Sequence, residues 1–224
     1  MMKSFMRSGL PELALVMALG SALSVTSCAS APQAEPKPDA VSGVSLVTEA
    51  VVPSAEELGL VTDGGKVLVV YFTTGNAAER VARDVAALYS ADVERITEKK
   101  PRNWSFMSGG FASSMGQATP IVEPSHDPSG YARVFVMTPV WAWNMTPPVR
   151  SYLQWAKGRL PEVAFGTISG DTEPDKIVAR MTKEGGKKPS SYAGFSEKDF
   201  LPENHDIYVE KLAYLVGIKV RDSR

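Results

Sequence analysis

The residues best suited to bind an anion lie in one short segment between a strand pattern and a helix pattern. The segment consists of Thr73, Thr74, Gly75, Asn76, Ala77 and Ala78. The first N–H groups of a helix have no acceptor inside the helix, and the helix dipole adds positive charge there. With two hydroxyls and a glycine that permits close approach of a ligand, the segment suits a phosphate group. A simple strand-to-helix turn capped by Asn76 or Thr74 explains the same residues.

Two other segments follow strand patterns and can contact a ligand bound beside the first. One consists of Pro139, Val140, Trp141, Ala142, Trp143 and Asn144, and the other of Ser169, Gly170, Asp171 and Thr172. A flat aromatic ligand can stack on a tryptophan ring. The alternative is that both tryptophans pack over the rim of the core. The shorter segment precedes a helix pattern and by itself is a weak signal.

The remaining residue types exclude several classes of function. Cys28 is the single cysteine, so no intramolecular disulfide can form. The two histidines, His126 and His205, are far apart in sequence and form no zinc motif. His126 beside Asp127 is typical of a surface turn, and there is no Gly-x-Ser-x-Gly motif of a hydrolase. The formal net charge of -1 gives no sign of a nucleic acid partner. We therefore predict no metal ligand and no catalytic side chain.

The elements that must position these segments follow from hydrophobic patterning. Strands are predicted at residues 66–72, 91–96, 133–138, 162–169 and 190–195. The first is continuously apolar, which is typical of a strand buried on both faces of a parallel sheet. Helices are predicted between strands, with Thr146 capping one and Asp171 or Thr172 capping the next. Residues 97–129 are predicted to be a long connection with one short helix. The alternation predicts an open parallel sheet with helices on both faces, which binds ligands at the carboxyl ends of its strands.

Taken together, these segments resemble the flavodoxin family over about residues 66–220. The strongest part is Thr-Pro-Val-Trp at 138–141, followed by Pro-Pro-Val-Arg at 147–150. Val-Val-Tyr-Phe at 69–72, followed by Thr-Gly-Asn at 74–76, is similar to short flavodoxin-like reductases. The resemblance implies an open five-stranded parallel sheet in the order 2-1-3-4-5, with helices on both faces. It also implies that FMN binds without a covalent link.

The resemblance assigns a role to each of the three segments. It places the FMN phosphate on residues 73–78 and the flavin ring against residues 139–144, with residues 169–172 closing the third side. The phosphate loop of the family usually reads Thr/Ser-x-Thr-Gly-x-Thr. Here the loop is one residue shorter before Gly75, and Ala77 occupies the last hydroxyl position. A lost charge-assisted hydrogen bond costs about 1.5–3 kcal/mol, which is about 10–100-fold in affinity.

The N-terminus resembles the export signal of a bacterial lipoprotein. Lys3 and Arg7 precede a short apolar run, and Val-Thr-Ser-Cys at 25–28 resembles a lipobox, in which the cysteine carries the lipid. We therefore predict a signal peptide at 1–27, lipidation of Cys28, a disordered tether at 28–60 and a flavodoxin-like domain at 61–224. Ala29 favours the outer over the inner membrane, on the periplasmic side. A plain signal peptide with a cysteine nearby is the alternative.

Two functions follow from this combination. The first is an FMN-binding, flavodoxin-like lipoprotein of the cell envelope. It acts in electron transfer or flavin-dependent reduction, with a redox protein or a quinone as its partner. The second is an envelope binding module that keeps the fold but has lost FMN. The second is favoured by Ala77 and by export, because an unfolded chain cannot carry FMN across a membrane.

Overall fold

The computed structural model describes residues 54–56, 58, 65–100 and 106–218. The predicted signal peptide, Cys28 and nearly all of the predicted tether lie outside the described residues. Contacts between Cα atoms group Thr48–Arg224 into one unit, and the fold described below belongs to it. No helix in the described part of the chain is long and apolar enough to cross a membrane.

Strands and helices alternate along the chain, as the patterning predicts. The strands are β1 (Val67–Tyr71), β2 (Asp92–Arg95), β3 (Arg133–Trp141), β4 (Asn144–Met145), β5 (Glu162–Ile168) and β6 (Ser191–Phe195). The helices are α1 (Ala77–Tyr89), α2 (Phe106–Ser114), α3 (Pro147–Ala156), α4 (Pro174–Gly185) and α5 (His205–Val216). Every strand and helix predicted from residue 66 onward is found, with bounds that differ by a few residues.

The sheet has the order β2-β1-β3-β5-β6, and all of these neighbours are parallel. The two-residue strand β4 lies off this path and pairs antiparallel with β3. Counting only the parallel strands in chain order, the arrangement is 2-1-3-4-5, so the predicted sheet is confirmed. The switch point lies between β1 and β3, where the connections leave in opposite directions.

Strand β1 is buried on both faces, which explains its continuous apolar sequence. On one face, Val67, Val69 and Tyr71 pack in a cluster with residues of α1 and α5. On the other face, Leu68 and Val70 pack in a cluster with residues of α3 and α4. The helices therefore cover both faces and leave the carboxyl edge of the sheet to the loops.

Two predicted boundaries are wrong, and each has a local cause. The predicted end of β3 at Thr138 is too early, because the strand runs through Pro139, which pairs with Ile168 of β5, to Trp141. Proline lacks a donor, but its φ is compatible with an extended strand. The predicted cap of α4 is also wrong: the N-cap is Glu173, and Pro174 begins the helix.

Residues 169–172 do not cap α4 because they form a closed turn of their own. The Ser169 hydroxyl donates to the Thr172 carbonyl at 3.0 Å and accepts from the Thr172 N–H at 3.1 Å. The predicted cap Thr146 does stand at the N-cap of α3, although its side chain makes no capping hydrogen bond. Its N–H instead donates to the Thr138 hydroxyl at 3.3 Å, which ties the start of α3 to β3.

Candidate functional site

A cleft of about 310 Å³ opens at the carboxyl ends of β1, β3 and β5. Its lining includes all of residues 73–78, residues 139–141, and Ser169 and Gly170. Ile168 and Glu197 complete the lining. The fold therefore brings parts of all three predicted segments to one place, at the switch point where open parallel sheets bind ligands. The volume lies at the lower end of the range of small-molecule pockets, about 300–1,000 Å³.

The first wall of the cleft is the turn between β1 and α1. The Thr73 hydroxyl is buried, donates to the Gly75 carbonyl and accepts from the Gly75 N–H at 3.2 Å. This side chain therefore closes the turn and shapes the loop from within. Thr74 is exposed on the same loop and leaves its hydroxyl accessible. A ligand at this wall can use the Thr74 hydroxyl and the backbone amides.

The N-terminus of α1 forms part of the cleft wall, because Asn76, Ala77 and Ala78 line the cleft. Asn76 stands at the N-cap, as one interpretation of the sequence predicts, but its side chain makes no capping hydrogen bond. The amides of the first turn have no acceptor inside the helix. Glu79 adds a negative charge to this turn, and Arg83 offsets it through a hydrogen bond of 2.6 Å to the carboxylate. The arrangement suits an anion bound to backbone N–H groups.

The opposite wall carries one of the two tryptophans. Trp141 lines the cleft at the end of β3 and is partly buried against the cluster beneath it. Its ring meets the Phe72 ring edge-on, with the centroids 6.0 Å apart. The contact with Phe72 holds the Trp141 indole in place, and Trp141 also borders the cleft. Trp141 is therefore the tryptophan that borders the cleft, and an indole can stack on a flat ligand.

The second tryptophan lies outside the cleft, at the tip of a tight hairpin. Strands β3 and β4 pair Trp141 with Asn144, which leaves Ala142 and Trp143 as the two turn residues. Both have positive φ, 45° and 60°, as a type I′ turn requires. Residues other than glycine adopt this conformation at a cost. Neither lines the cleft, and the Trp143 side chain is 68% exposed.

Asn144 also lies outside the cleft, because its side chain is used inside the protein. It is buried, and its amide donates to the Ser113 carbonyl of α2 at 2.8 Å. Its Oδ1 accepts from the Met145 N–H at 3.0 Å and from Arg150 Nη2 at 3.1 Å. Asn144 therefore links the hairpin to α2 and α3, and the structure does not bring its side chain to the predicted flavin position.

Arg150 joins the hairpin residue Asn144 to Glu184 of α4, and it had no predicted role. Its guanidinium is buried, donates to Asn144 and forms an ion pair with Glu184 of α4. A Cβ added at Gly116 would lie 3.7 Å from the guanidinium carbon, so the turn after α2 also approaches this group closely. Arg150 is the last residue of the Pro-Pro-Val-Arg motif at 147–150, but only the fold shows which groups it joins.

The third predicted segment divides between two cavities. Ser169 and Gly170 line the cleft, whereas Asp171 and Thr172 line a neighbouring cavity of about 200 Å³ that shares Ser169 and Gly170. This cavity lies between the ends of β5 and β6. The structure therefore places Asp171 and Thr172 beside the cleft and not in its wall.

Glu197 is the wall residue that the predicted site lacked. It begins a short 3-10 helix, Glu197–Phe200, directly after β6. The helix is held by a capping box in which Asp199 accepts from the Ser196 N–H at 2.7 Å, and Lys211 pairs with the same carboxylate at 2.6 Å. Ser-x-x-Asp after a strand pattern is a signal for such a turn. It does not indicate that the glutamate reaches the cleft.

Two solved structures share this architecture. One is a flavoprotein in complex with FMN from Lactobacillus acidophilus NCFM, with a TM-score of 0.50 and 15% identity over 64% of this chain and 98% of that chain. The other is a candidate flavoprotein from Bacteroides eggerthii DSM 20697, with a TM-score of 0.51 and 16% identity over 64% of this chain and 94% of that chain. No protein-family model and no curated protein matches the chain. At these identities the likeness concerns the fold, and the chain has a flavodoxin-like fold.

Proposed function

We propose that this protein binds FMN noncovalently in the cleft and acts in electron transfer or flavin-dependent reduction. One observation carries the proposal: the N-terminus of α1 and the Trp141 indole face the same cleft. A helix N-terminus suits a phosphate, and an indole suits a flat aromatic ring. FMN has both groups in one molecule. The FMN named for the structure from Lactobacillus acidophilus agrees with this choice of ligand.

The glycines of the cleft fit a ligand that approaches the backbone closely. A Cβ added at Gly75 or at Gly170 would meet no atom within 4 Å. Neither glycine has positive φ, so the backbone conformation at these positions does not require glycine. A group bound at this wall needs free space beside the backbone, and a glycine without a side chain provides that space. The residues present therefore fit the phosphate end of FMN.

The protein's own part in the chemistry is binding, orientation and electrostatics. When bound, FMN supplies one- or two-electron redox chemistry. The amides of the first turn of α1 hold the phosphate, and Trp141 covers the ring and excludes water from that side. Glu197 also lines the cleft, and its negative charge disfavours the gain of negative charge by a ligand nearby. We assign no side chain as an acid or a base.

We further propose that the domain works at the bacterial cell envelope, attached through a lipid on Cys28. The charged start, the apolar run and the lipobox-like Val-Thr-Ser-Cys support this location. Ala29 supports the periplasmic side of the outer membrane. A lipid-anchored flavoprotein there exchanges electrons with a redox protein or a quinone, since the tether keeps it near the bilayer.

An envelope binding module without FMN is the second candidate function. The loop at residues 73–78 favours this function. The Thr73 hydroxyl already donates to the Gly75 carbonyl, and Ala77 supplies no hydroxyl. Only Thr74 then offers a side-chain hydroxyl on this loop. In this case the cleft binds another ligand, or the surface of the fold binds a protein.

Titration of the full-length Cys28→Ser chain with FMN separates the two functions. The proposed function predicts saturable quenching of flavin fluorescence and a shifted visible spectrum of the bound flavin. Riboflavin, which lacks the phosphate, is the matched control and is expected to bind more weakly. A protein that leaves FMN fluorescence unchanged at high concentration would exclude the redox function and favour the binding module.

A further inference from the structure

The outer face of α4 concentrates positive charge in a chain whose net charge is -1. Lys176, Arg180 and Lys183 are exposed and follow each other at intervals of four and three residues, so they lie on one side of the helix. Lys187 and Lys188 continue the exposed basic sequence after the helix ends. This side is opposite the buried side of α4, which carries Ile177, Val178 and Met181.

In the part of the chain that the structure describes, no carboxylate of α4 forms an ion pair with this row. Glu184 is engaged by Arg150, and the hydroxyl of Tyr192 donates to Asp175. Within residues 65–100 and 106–218, no ion pair involves Lys176, Lys183 or the two lysines after the helix. Cations in the last turn complement the helix dipole, which accounts for Lys183. The dipole does not account for Lys176, which lies in the first turn.

An exposed tryptophan stands directly beside the basic row. The Arg180 guanidinium donates to the Trp143 carbonyl at 2.7 Å, which joins the hairpin tip to α4. On the other side of the hairpin, α2 contacts Asn144 through the Ser113 carbonyl. This helix exposes Phe111, and Met115, directly after its end, is also exposed. Trp143 thus borders the basic row on the hairpin side.

We propose that this surface docks the domain onto a bilayer that contains anionic phospholipids. We call it the α4 surface and define it as Trp143, Lys176, Arg180, Lys183, Lys187 and Lys188. Tryptophan favours the interface between headgroups and acyl chains, and lysines near a membrane are attracted by anionic headgroups. The docking is independent of FMN, since no residue of the α4 surface lines the cleft.

The composition of the α4 surface favours lipid over an acidic protein. Its cations are lysines with one arginine, and lysine is depleted in protein interfaces whereas arginine is enriched. Lysine is a flexible point charge, which suits mobile headgroups better than a rigid planar partner. A polybasic surface together with an acyl chain gives the two signals that stable membrane attachment requires. The hairpin that supplies Trp141 to the cleft then lies next to the bilayer.

Flotation of residues 29–224 with lipid vesicles tests the proposal without the contribution of an acyl chain or of the predicted signal peptide, and this chain keeps the whole unit Thr48–Arg224. One set of vesicles is phosphatidylcholine, and the other mixes about seven parts phosphatidylcholine with three parts phosphatidylglycerol. We expect binding to the mixed vesicles alone, and weaker binding at high salt because salt screens the attraction. Equal binding to both vesicles, or no binding to either, overturns the proposal.

Matched variants test whether the α4 surface is responsible. Lys183→Gln with Lys187→Gln is expected to weaken vesicle binding by about 10–30-fold, from about fivefold per cation near an anionic surface. Lys66→Gln with Lys198→Gln removes the same charge from exposed positions on other elements and is the control. Trp143→Ala is expected to weaken vesicle binding by about tenfold. An equal loss in the control pair overturns the proposal.

Two further readouts complete the test. All of these positions are exposed, so thermal melts of the variants are expected to match that of the parent chain. Soluble polyglutamate serves as a mimic of an acidic protein. Binding to polyglutamate without binding to the mixed vesicles assigns the α4 surface to an acidic protein and overturns the lipid proposal.

Discussion

Nη2 of Arg150 lies 3.1 Å from Oδ1 of Asn144, and through this contact a buried cation on α3 holds the strand that returns from the tryptophan hairpin. The same guanidinium pairs with Glu184 of α4. Because Asn144 pairs with Trp141 across the hairpin, the position of the cleft wall depends on groups that never touch the cleft.

Arg150→Met is expected to lower the free energy of unfolding by about 2–4 kcal/mol, because it removes the ion-pair partner of Glu184 and one of the two donors to Asn144 Oδ1. Chemical denaturation measures the loss. Arg83→Met breaks an exposed pair with Glu79 within α1 and is the control, for which we expect little change. Similar losses in the two variants would contradict a structural role of the buried pair.

Gly75→Ala is expected to weaken FMN binding by at least about tenfold without loss of stability, because the methyl group occupies the space that the ligand needs. Fluorescence titration measures the affinity, and a thermal melt measures the stability. Gly130→Ala is the matched control, since a Cβ there also meets no atom within 4 Å and Gly130 lies outside the cleft. Unchanged FMN affinity in Gly75→Ala would place the ligand elsewhere.

Ala77→Thr is expected to tighten FMN binding by about 10–100-fold, because a hydroxyl at this position can donate to the phosphate. Ala77→Val has nearly the same shape without the hydroxyl and is the control. The same titration compares the two variants. An equal effect of threonine and valine would mean that the side chain at position 77 does not reach the phosphate.

The two tryptophans are expected to separate the two proposed activities. Trp141→Ala removes the aromatic wall and should weaken FMN binding by about 3–10-fold, while vesicle binding is retained. Trp143→Ala should have the opposite pattern, because this residue lies outside the cleft and in the α4 surface. Both titrations are made on both variants. Loss of FMN binding in Trp143→Ala alone would reverse the roles that the geometry gives them.

Tyr208 is expected to make the fold sensitive to alkaline pH. Burial, and then the negative charge of Asp84, raise the pKa of Tyr208 well above its ordinary value of 10.0. The unfolded chain therefore loses this proton first, so the stabilisation is complete below pH 10 and is lost as the pH rises above it. Between about pH 10 and 11.5, this group should lower the free energy of unfolding by about 1.4 kcal/mol for each pH unit, as measured by chemical denaturation.

Two tyrosine-to-phenylalanine variants show how much of the alkaline loss of stability comes from Tyr208. In Tyr208→Phe the stability should be lower at neutral pH, because the hydrogen bond to Asp84 is lost, and the alkaline slope should be smaller. Tyr214→Phe changes a tyrosine of α5 that is 46% exposed and should keep the slope of the parent chain. Identical slopes in both variants would assign the alkaline sensitivity to other groups.

The sheet could be predicted from sequence because its signals are local. The continuous apolar run of β1 requires burial on both faces, and its end at Thr73 places a turn and a helix N-terminus at the carboxyl edge. Alternating strands and helices then leave few possible topologies. The same reasoning placed the three predicted segments at one edge, and parts of all three line the cleft there.

Tertiary contacts decided which residues of those segments line the cleft. Sequence alone predicted a tryptophan-rich loop after β3, but whether Trp141 or Trp143 borders the cleft depends on where β4 pairs back. That pairing puts Trp143 at the tip and is accompanied by contacts from Ser113, Arg150 and Arg180, which belong to three different helices. Residues distant in sequence meet only when the chain is folded, so no local pattern of residues could identify this choice.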